Sequence, residues 1–181
     1  MQTVIKNSLA LLTALAFASS HTWAAGSVKS TSDVCDVFTC LQAPEQGIVV
    51  GSSTLVRKPN GVSFTFAATG LPEGHAVTIW ICIIRSFEPF VFDCLRGAGH
   101  IVGGGGTVHL AGALQVGDVS ESISPLLGTD GLGLLDSYNE EIHLVLRDHG
   151  PADPGRIDEQ IHSYEGDCGT CVDILCSIHV P

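Results

Sequence analysis

The sequence is poor in basic residues and in methionine. Lys and Arg together number 8 against 19 Asp and Glu, which gives a formal net charge of −11 at pH 7. A chain this acidic repels phosphate backbones and anionic lipid surfaces, so we expect no nucleic-acid partner. The single methionine is Met1, and its position leaves no axial methionine for a blue-copper site.

Other motifs and compositions are missing as well. There is no Gly-x-Ser-x-Gly motif, which removes the nucleophile elbow of the α/β hydrolases. Trp80 is the only tryptophan after residue 24, which disfavours an aromatic platform for sugars. Beyond the N-terminal segment no apolar run is long enough to cross a bilayer, so we expect no membrane span.

The first 24 residues have the organisation of a signal peptide. Lys6 is the only charged residue before Lys29, an apolar run covers residues 9–18, and small residues surround Ala24. We therefore predict a signal peptide over residues 1–24 and an exported protein, periplasmic or extracellular. The remainder divides into an irregular N-terminal leader, residues 25–46, and a single domain, residues 47–181.

Cysteine is plentiful in the predicted mature chain. In an exported protein cysteines form disulfides by default, and the odd number leaves one thiol over or pairs one between two chains. Cys35 with Cys40 and Cys82 with Cys94 are candidate pairs, and Cys168 has Cys171 or Cys176 as a candidate partner. The seven candidates are Cys35, Cys40, Cys82, Cys94, Cys168, Cys171 and Cys176.

Short segments of alternating apolar and polar residues predict an all-β fold. We expect strands within residues 47–57, 62–69, 76–85, 107–114 and 172–180, and another from residue 140 onward. Residues 76–85 are apolar on both faces, which places that strand at the centre of a sheet. Residues 86–99 are interpreted as a connection and 115–139 as a long loop. The predicted fold is a disulfide-containing antiparallel β-sandwich, immunoglobulin-like in general architecture.

Residues 140–156, EEIHLVLRDHGPADPGR, contain the most concentrated set of polar candidates. As a strand this stretch directs Ile142, Leu144 and Leu146 to the core, with Glu141 and His143 on the other face. His149 follows near a Gly-Pro break, where binding residues often lie. The candidate zinc or copper ligands are therefore Glu141, His143, His149 and, from a neighbouring strand, His100.

A second metal hypothesis concerns the C-terminal cysteines. Cys168, Cys171, Cys176 and His179 have spacings found among zinc ligands. The oxidising compartment favours disulfides instead. Odd spacing along a strand would also place Cys176 and His179 on opposite faces of the sheet.

Two resemblances carry further expectations. GLPEGHAVTI, residues 70–79, resembles the corner of fibronectin type III domains, in which a leucine fills the core before the next strand. GLPEGHAVTIWI, GHIVGGGGT, EIHLVLRDHGP, DEQI and a closing Cys-x-Asp…His strand together resemble a group of exported bacterial proteins of uncharacterised function, over most of residues 60–180. That resemblance implies a secreted β-sandwich and no particular activity. Val77, Leu175 and Cys176 stand where that group usually has Tyr, Gln and Phe.

These observations favour an exported, non-enzymatic binding or structural module of unknown ligand and partner, with no cofactor. The alternative is a metal-dependent site or enzyme that uses Glu141, His143 and His149, with zinc or copper as the metal.

Overall fold

The computed structural model describes residues 26–42, 48–87, 90–124, 131–164 and 171–181. The predicted signal peptide, residues 1–24, and Cys168 lie outside the described residues. Eight strands and two short helices lie within them: β1 (Val28–Asp36), α1 (Val37–Gln42), β2 (Gly51–Lys58), β3 (Gly61–Ala68), β4 (His75–Phe87), β5 (Phe90–Ile101), β6 (Val108–Gln115), β7 (Glu141–Pro151), α2 (Ile157–His162) and β8 (Val172–His179).

The strands form one antiparallel sheet in the order β5-β4-β7-β8-β1-β2-β3-β6. The two edge strands, β5 and β6, contact each other, so the sheet nearly closes into a barrel. Strand β1 joins its two halves, because residues 28–34 pair with β2 while Cys35 and Asp36 pair with β8. One half is β1-β2-β3-β6 and the other is β5-β4-β7-β8.

The all-β, antiparallel and disulfide-containing parts of the sequence prediction are confirmed. An immunoglobulin-like sandwich is a narrower arrangement with two separate sheets. The strands do not clearly form it, because β1 runs through both halves and the edges approach each other.

The core lies between the two halves of the sheet. Side chains alternate across each strand, so every second residue enters it. A fully buried aliphatic or aromatic side chain contributes roughly 1.5–3 kcal/mol relative to its exposed state. The inward residues of the three most apolar strands are Phe64 and Phe66 on β3, Ile79, Ile81 and Ile83 on β4, and Ile142, Leu144 and Leu146 on β7, all buried. The inward face predicted for β7 is confirmed.

The expectation that residues 25–46 are irregular is wrong for β1. Its inward side carries serines beside Val34, which is fully buried. The Ser30 hydroxyl lies 2.9 Å from Nδ1 of His179, so this half-buried polar group has a partner inside the sheet. A strand whose inner face is polar lacks the apolar alternation that identifies strands in a sequence.

The expectation that residues 86–99 form a connection is also wrong. They contain the end of β4 and most of β5. These two strands pair along their length, from Phe87 with Phe90 at one end to Ala76 with Ile101 at the other. Gly97 interrupts the apolar pattern of β5 because a Cβ at this position would lie 2.9 Å from the ring of Phe64. The glycine makes room for the aromatic ring in the core.

Asp93, also on the inner face of β5, is a fully buried carboxylate. It accepts hydrogen bonds from the Ser122 hydroxyl at 2.7 Å and the Gly133 amide at 2.6 Å, and another from the Ser124 hydroxyl. These bonds hold the pKa of Asp93 below its ordinary value although burial, the largest single effect, acts in the opposite direction. The carboxylate therefore ties the segments on both sides of residues 125–130 to the sheet.

Two predicted disulfides are confirmed, between Cys35 and Cys40 and between Cys82 and Cys94. Cys171 is also disulfide-bonded. Cys176 is a free thiol and is fully buried. Its position places the thiol out of reach of a second chain while the protein is folded.

A buried arginine closes one end of the core. Arg57 on β2 is only 2% exposed. Its Nη1 donates to the carbonyl oxygens of Ser137 and Glu140 at 2.8 and 2.9 Å, and its Nη2 donates to that of His179 at 2.9 Å. Burial lowers the pKa of Arg57, but an arginine remains ionised in proteins. One guanidinium thus connects β2, the segment before β7 and the end of β8.

We predict that Arg57→Met lowers the free energy of unfolding by roughly 3–5 kcal/mol, because it strands buried carbonyl oxygens without donors. The neighbouring Lys58 side chain is exposed, so Lys58→Met is a matched control and should change stability by less than about 0.5 kcal/mol. Urea denaturation followed by circular dichroism measures both. Equal stability of the two variants would show that the arginine is not a structural tie.

Candidate functional site

Strand β4 is buried on its outer face as well as its inner face. Thr78, Trp80 and Cys82 point away from the core, yet none is more than 7% exposed. Trp80 and Cys82 belong to a second apolar cluster outside the sheet, to which β5 contributes Cys94 and β7 contributes Val145. The sequence prediction that this strand is buried on both sides is confirmed.

A groove of about 160 Å³ lies in this outer layer. In the register of the sheet Trp80 stands opposite Val145 and Cys82 opposite His143, so β4 and β7 form its base together. The Cys82–Cys94 disulfide, which joins β4 to β5, also lines it. The lining residues are Val37, Trp80, Cys82, Ile84, Phe92, Cys94, His143, Val145, Tyr164 and Asp173.

Two aromatic rings form one wall of the groove, and an arginine packs against one of them. Trp80 and Tyr164 meet edge to face with ring centroids 5.2 Å apart. The guanidinium of Arg147 lies 4.0 Å from the centroid of the Tyr164 ring, a cation–π contact. Its Nε also donates to the Tyr164 carbonyl at 2.8 Å, and its Nη1 donates to Asp173 at 2.8 Å. These contacts fix the orientation of the aromatic wall.

The structure brings Glu141 and His143 together on the outer face of β7, as the strand periodicity predicts. Nε2 of His143 lies 2.6 Å from Oε1 of Glu141. An ionised carboxylate only accepts hydrogen bonds, so the imidazole donates from Nε2 and its Nδ1 is left as an acceptor when the ring is neutral. His143 is 3% exposed and lines the groove. It is therefore a polar group held in place at an apolar site.

His149 does not join this pair. It lies farther along the same strand, with Nε2 at 2.8 Å from the Thr78 hydroxyl and Nδ1 at 3.1 Å from the sulfur of Cys171. The indole N–H of Trp80 donates to the same Thr78 hydroxyl at 2.9 Å. Burial lowers the pKa of His149 to about 4, so the ring is neutral at pH 7. This chain of contacts places His149 in support of the tryptophan.

The remaining metal candidates also lie apart. His100 is exposed on β5, opposite Val77. Cys176 and His179 lie on opposite faces of β8, as the odd spacing predicts: Cys176 packs in an outer cluster, whereas His179 bonds to inward-facing Ser53. Over the described ranges, no group of three or more His, Cys, Asp or Glu side chains is arranged to hold a metal ion.

A buried serine–histidine cluster inside the sheet was missed by sequence reasoning. Nδ1 of His179 lies 2.9 Å from the Ser30 hydroxyl and its Nε2 lies 2.8 Å from that of Ser53. Ser53 in turn donates to the Ser177 hydroxyl at 2.7 Å. Burial lowers the pKa of His179 to about 4. Ser53, Ser177 and His179 are each at most 2% exposed, so a substrate cannot reach the side chains of this cluster. The cluster satisfies polar groups in the core.

One sequence signal could have revealed the cluster. Ser53 has the same strand parity as Leu55 and Arg57, and Ser177 and His179 have the same parity as Leu175. All of these side chains are buried. Polar residues on an inward row need partners from other strands, and the sequence does not identify those partners.

No protein-family model, curated protein or solved structure matches the chain. Neither of the helices in the described ranges has the length and apolarity needed to cross a bilayer. Geometry alone therefore identifies the candidate site, a small apolar groove with one oriented histidine.

Two of the buried histidines, His149 and His179, predict a pH dependence of stability. Their folded pKa is about 4, below the value of roughly 6.5 in an unfolded chain. The unfolded chain therefore binds more protons between these values. Stability is fully present above pH 6.5 or so and is lost as the pH falls, by up to about 1.4 kcal/mol per pH unit for each histidine.

Urea denaturation of wild type and His179→Gln at several pH values tests this dependence. The variant should show a shallower slope below pH 6.5 because one proton-binding site of the unfolded chain is gone. His109 is exposed, and His109→Gln serves as the control with an unchanged slope. Identical slopes for wild type and His179→Gln would show that His179 is not held neutral by burial.

Proposed function

We propose that this protein is an exported, non-enzymatic binding module and that the groove outside β4 is its ligand site. The single observation that carries the proposal is an apolar cavity lined in part by a polar side chain, His143, which a hydrogen bond to Glu141 holds in place. Small-molecule sites have this composition: mostly apolar walls with a few placed polar groups. The intramolecular disulfides indicate an oxidising compartment, which supports export. The two facing halves of the sheet support a sandwich-like description of the scaffold.

The size of the groove limits the ligand. Its volume of about 160 Å³ is close to that of a cavity of roughly 150 Å³ that takes up benzene. Trp80 and Tyr164 both line the groove and offer aromatic contacts. A single aromatic ring with a short polar substituent therefore fits the site best.

Charge limits the ligand further. Asp173 lines the groove, and the Glu141 carboxylate lies against the lining residue His143. The nearby Arg147 is already paired with Asp173 and stacked on Tyr164. An anionic ligand would meet these carboxylates, and none of the described residues that line the groove is a lysine or an arginine. A neutral or cationic ligand, such as an arylmethylamine, is favoured.

The alternative function, a metal-dependent site on Glu141, His143 and His149, has support from one contact only. Glu141 and His143 are close enough to share an ion, but His149 bonds to Thr78 and Cys171 instead. A metal here would need further ligands from a bound molecule. Zinc or copper titration of wild type and Glu141→Gln distinguishes this alternative, because only a metal site loses ion affinity in the variant.

Binding of three probes of equal size tests the ligand proposal: benzylamine, benzyl alcohol and benzoate. Trp80 is the only tryptophan of the predicted mature chain, so its fluorescence reports occupancy of the groove. We predict a Kd of about 0.1–1 mM for benzylamine, equivalent to roughly 4–5.5 kcal/mol. Benzyl alcohol should bind more weakly and benzoate weakest.

A groove-filling variant provides the control for location. Val145→Phe adds a ring to the base of the groove and should lower benzylamine affinity by about tenfold or more. Thr65 is exposed on the opposite half of the sheet, and Thr65→Val should bind like wild type. Benzoate binding as tight as benzylamine, or undiminished binding by Val145→Phe, would contradict the proposal.

A further inference from the structure

The free thiol of Cys176 lies beside the Cys35–Cys40 disulfide. Cys35 on β1 and Cys176 on β8 are direct partners in the register of the two antiparallel strands. Such partners have Cα atoms about 4.5–5.5 Å apart, which lies within the range that a disulfide spans. The existing bond from Cys35 to Cys40 spans 5.7 Å between Cα atoms. Cys35 therefore has two cysteines at disulfide distance.

The three cysteines also share one buried environment. Cys35, Cys40 and Cys176 form a compact apolar cluster with Val37. The sulfur of Cys40 lies 2.9 Å from the carbonyl oxygen of Cys176. The cluster borders a surface depression of about 300 Å³ that Cys35 and Cys40 line. A small thiol can approach the disulfide from this depression.

We propose that Cys176 exchanges with the Cys35–Cys40 disulfide and that this exchange gates the groove. The Cys176 thiolate attacks the sulfur of Cys35, the Cys35–Cys176 bond forms, and the Cys35–Cys40 bond breaks. Cys40 leaves as a thiolate and takes up the proton that Cys176 gave up. One disulfide and one thiol are present before and after the step, so no oxidant or reductant is consumed.

The gate follows from the position of helix α1, and it rests on the proposed binding function. Cys35 and Cys40 flank Val37, which lines the groove. While the Cys35–Cys40 bond is intact, it ties α1 to the end of β1. Exchange releases Cys40 and removes this tie, so the Val37 wall is no longer held in place. The exchanged form should bind groove ligands more weakly.

The resting state is the one with Cys35–Cys40 bonded. Burial, together with the nearby Asp36 carboxylate, raises the pKa of Cys176 to about 12. The thiolate is the attacking species, so direct attack by Cys176 in the folded protein is slow at neutral pH. A small thiol such as glutathione can act as catalyst: it opens Cys35–Cys40 from the depression, and Cys176 then displaces it from Cys35.

A tryptic peptide map reads the exchange directly. Trypsin cuts after Lys29, Arg57 and Arg156, so Cys35 and Cys40 fall within peptide 30–57 while Cys176 falls within peptide 157–181. The resting bond lies inside one peptide, whereas the exchanged bond joins the two. Exported protein incubated with a catalytic amount of reduced glutathione, then quenched with acid and alkylated, should yield the joined peptides. Their absence from wild type overturns the exchange. Cys176→Ser, which cannot exchange, is the negative control.

Benzylamine binding tests the gate separately. Cys40→Ser oxidised with glutathione disulfide should hold Cys35–Cys176, and Cys176→Ser should hold Cys35–Cys40. We expect the first to bind benzylamine about tenfold more weakly than the second. Equal affinities of the two variants would overturn the gate. The peptide map would still decide whether the exchange occurs. If wild type binds no probe, the proposed function has failed and the gate falls with it, while the map still decides the exchange.

Discussion

The burial of β4 on both faces is the constraint on which the rest of the structure depends. Ile79, Ile81 and Ile83 fill the interior of the sheet, so Trp80 and Cys82 must face outward. Exposing them would leave a large apolar surface in water. The chain covers this face with residues from β5, β7 and the segment after α2. The groove lies where this cover leaves space.

Polar contacts inside the barrel-like sheet hold in place the strands on which the outer apolar layer packs. Arg57 bonds to carbonyl oxygens at the end of β8 and before β7, and Asp93 holds the segments around Ser122 and Gly133. Each of these charges is buried with several hydrogen bonds, which is the condition under which a buried charge is tolerated. The strands that carry the groove therefore have a fixed register and spacing.

The sequence predicts a strand of this protein where the apolar pattern of its faces is clear. The two-sided apolar pattern around Trp80 and the alternation around Ile142 predict β4 and β7, and with them the meeting of Glu141 and His143. Strands β1 and β5 were missed because Ser30, Asp93 and Gly97 occupy inward positions. The groove itself was also missed. It requires Tyr164 and Val37, which come from distant parts of the chain and carry no local signal.

We propose that the outer layer on β4 is a binding site and not merely a second core. Proton–nitrogen correlation spectra of isotope-labelled protein, recorded during a benzylamine titration, distinguish the two. Binding in the groove should give saturable shifts of the Trp80 indole N–H and of the Cys82 and Val145 amides, with the Thr65 and His109 amides on the opposite half unmoved. Shifts centred on that opposite half, or no saturable shift at Trp80, would contradict it.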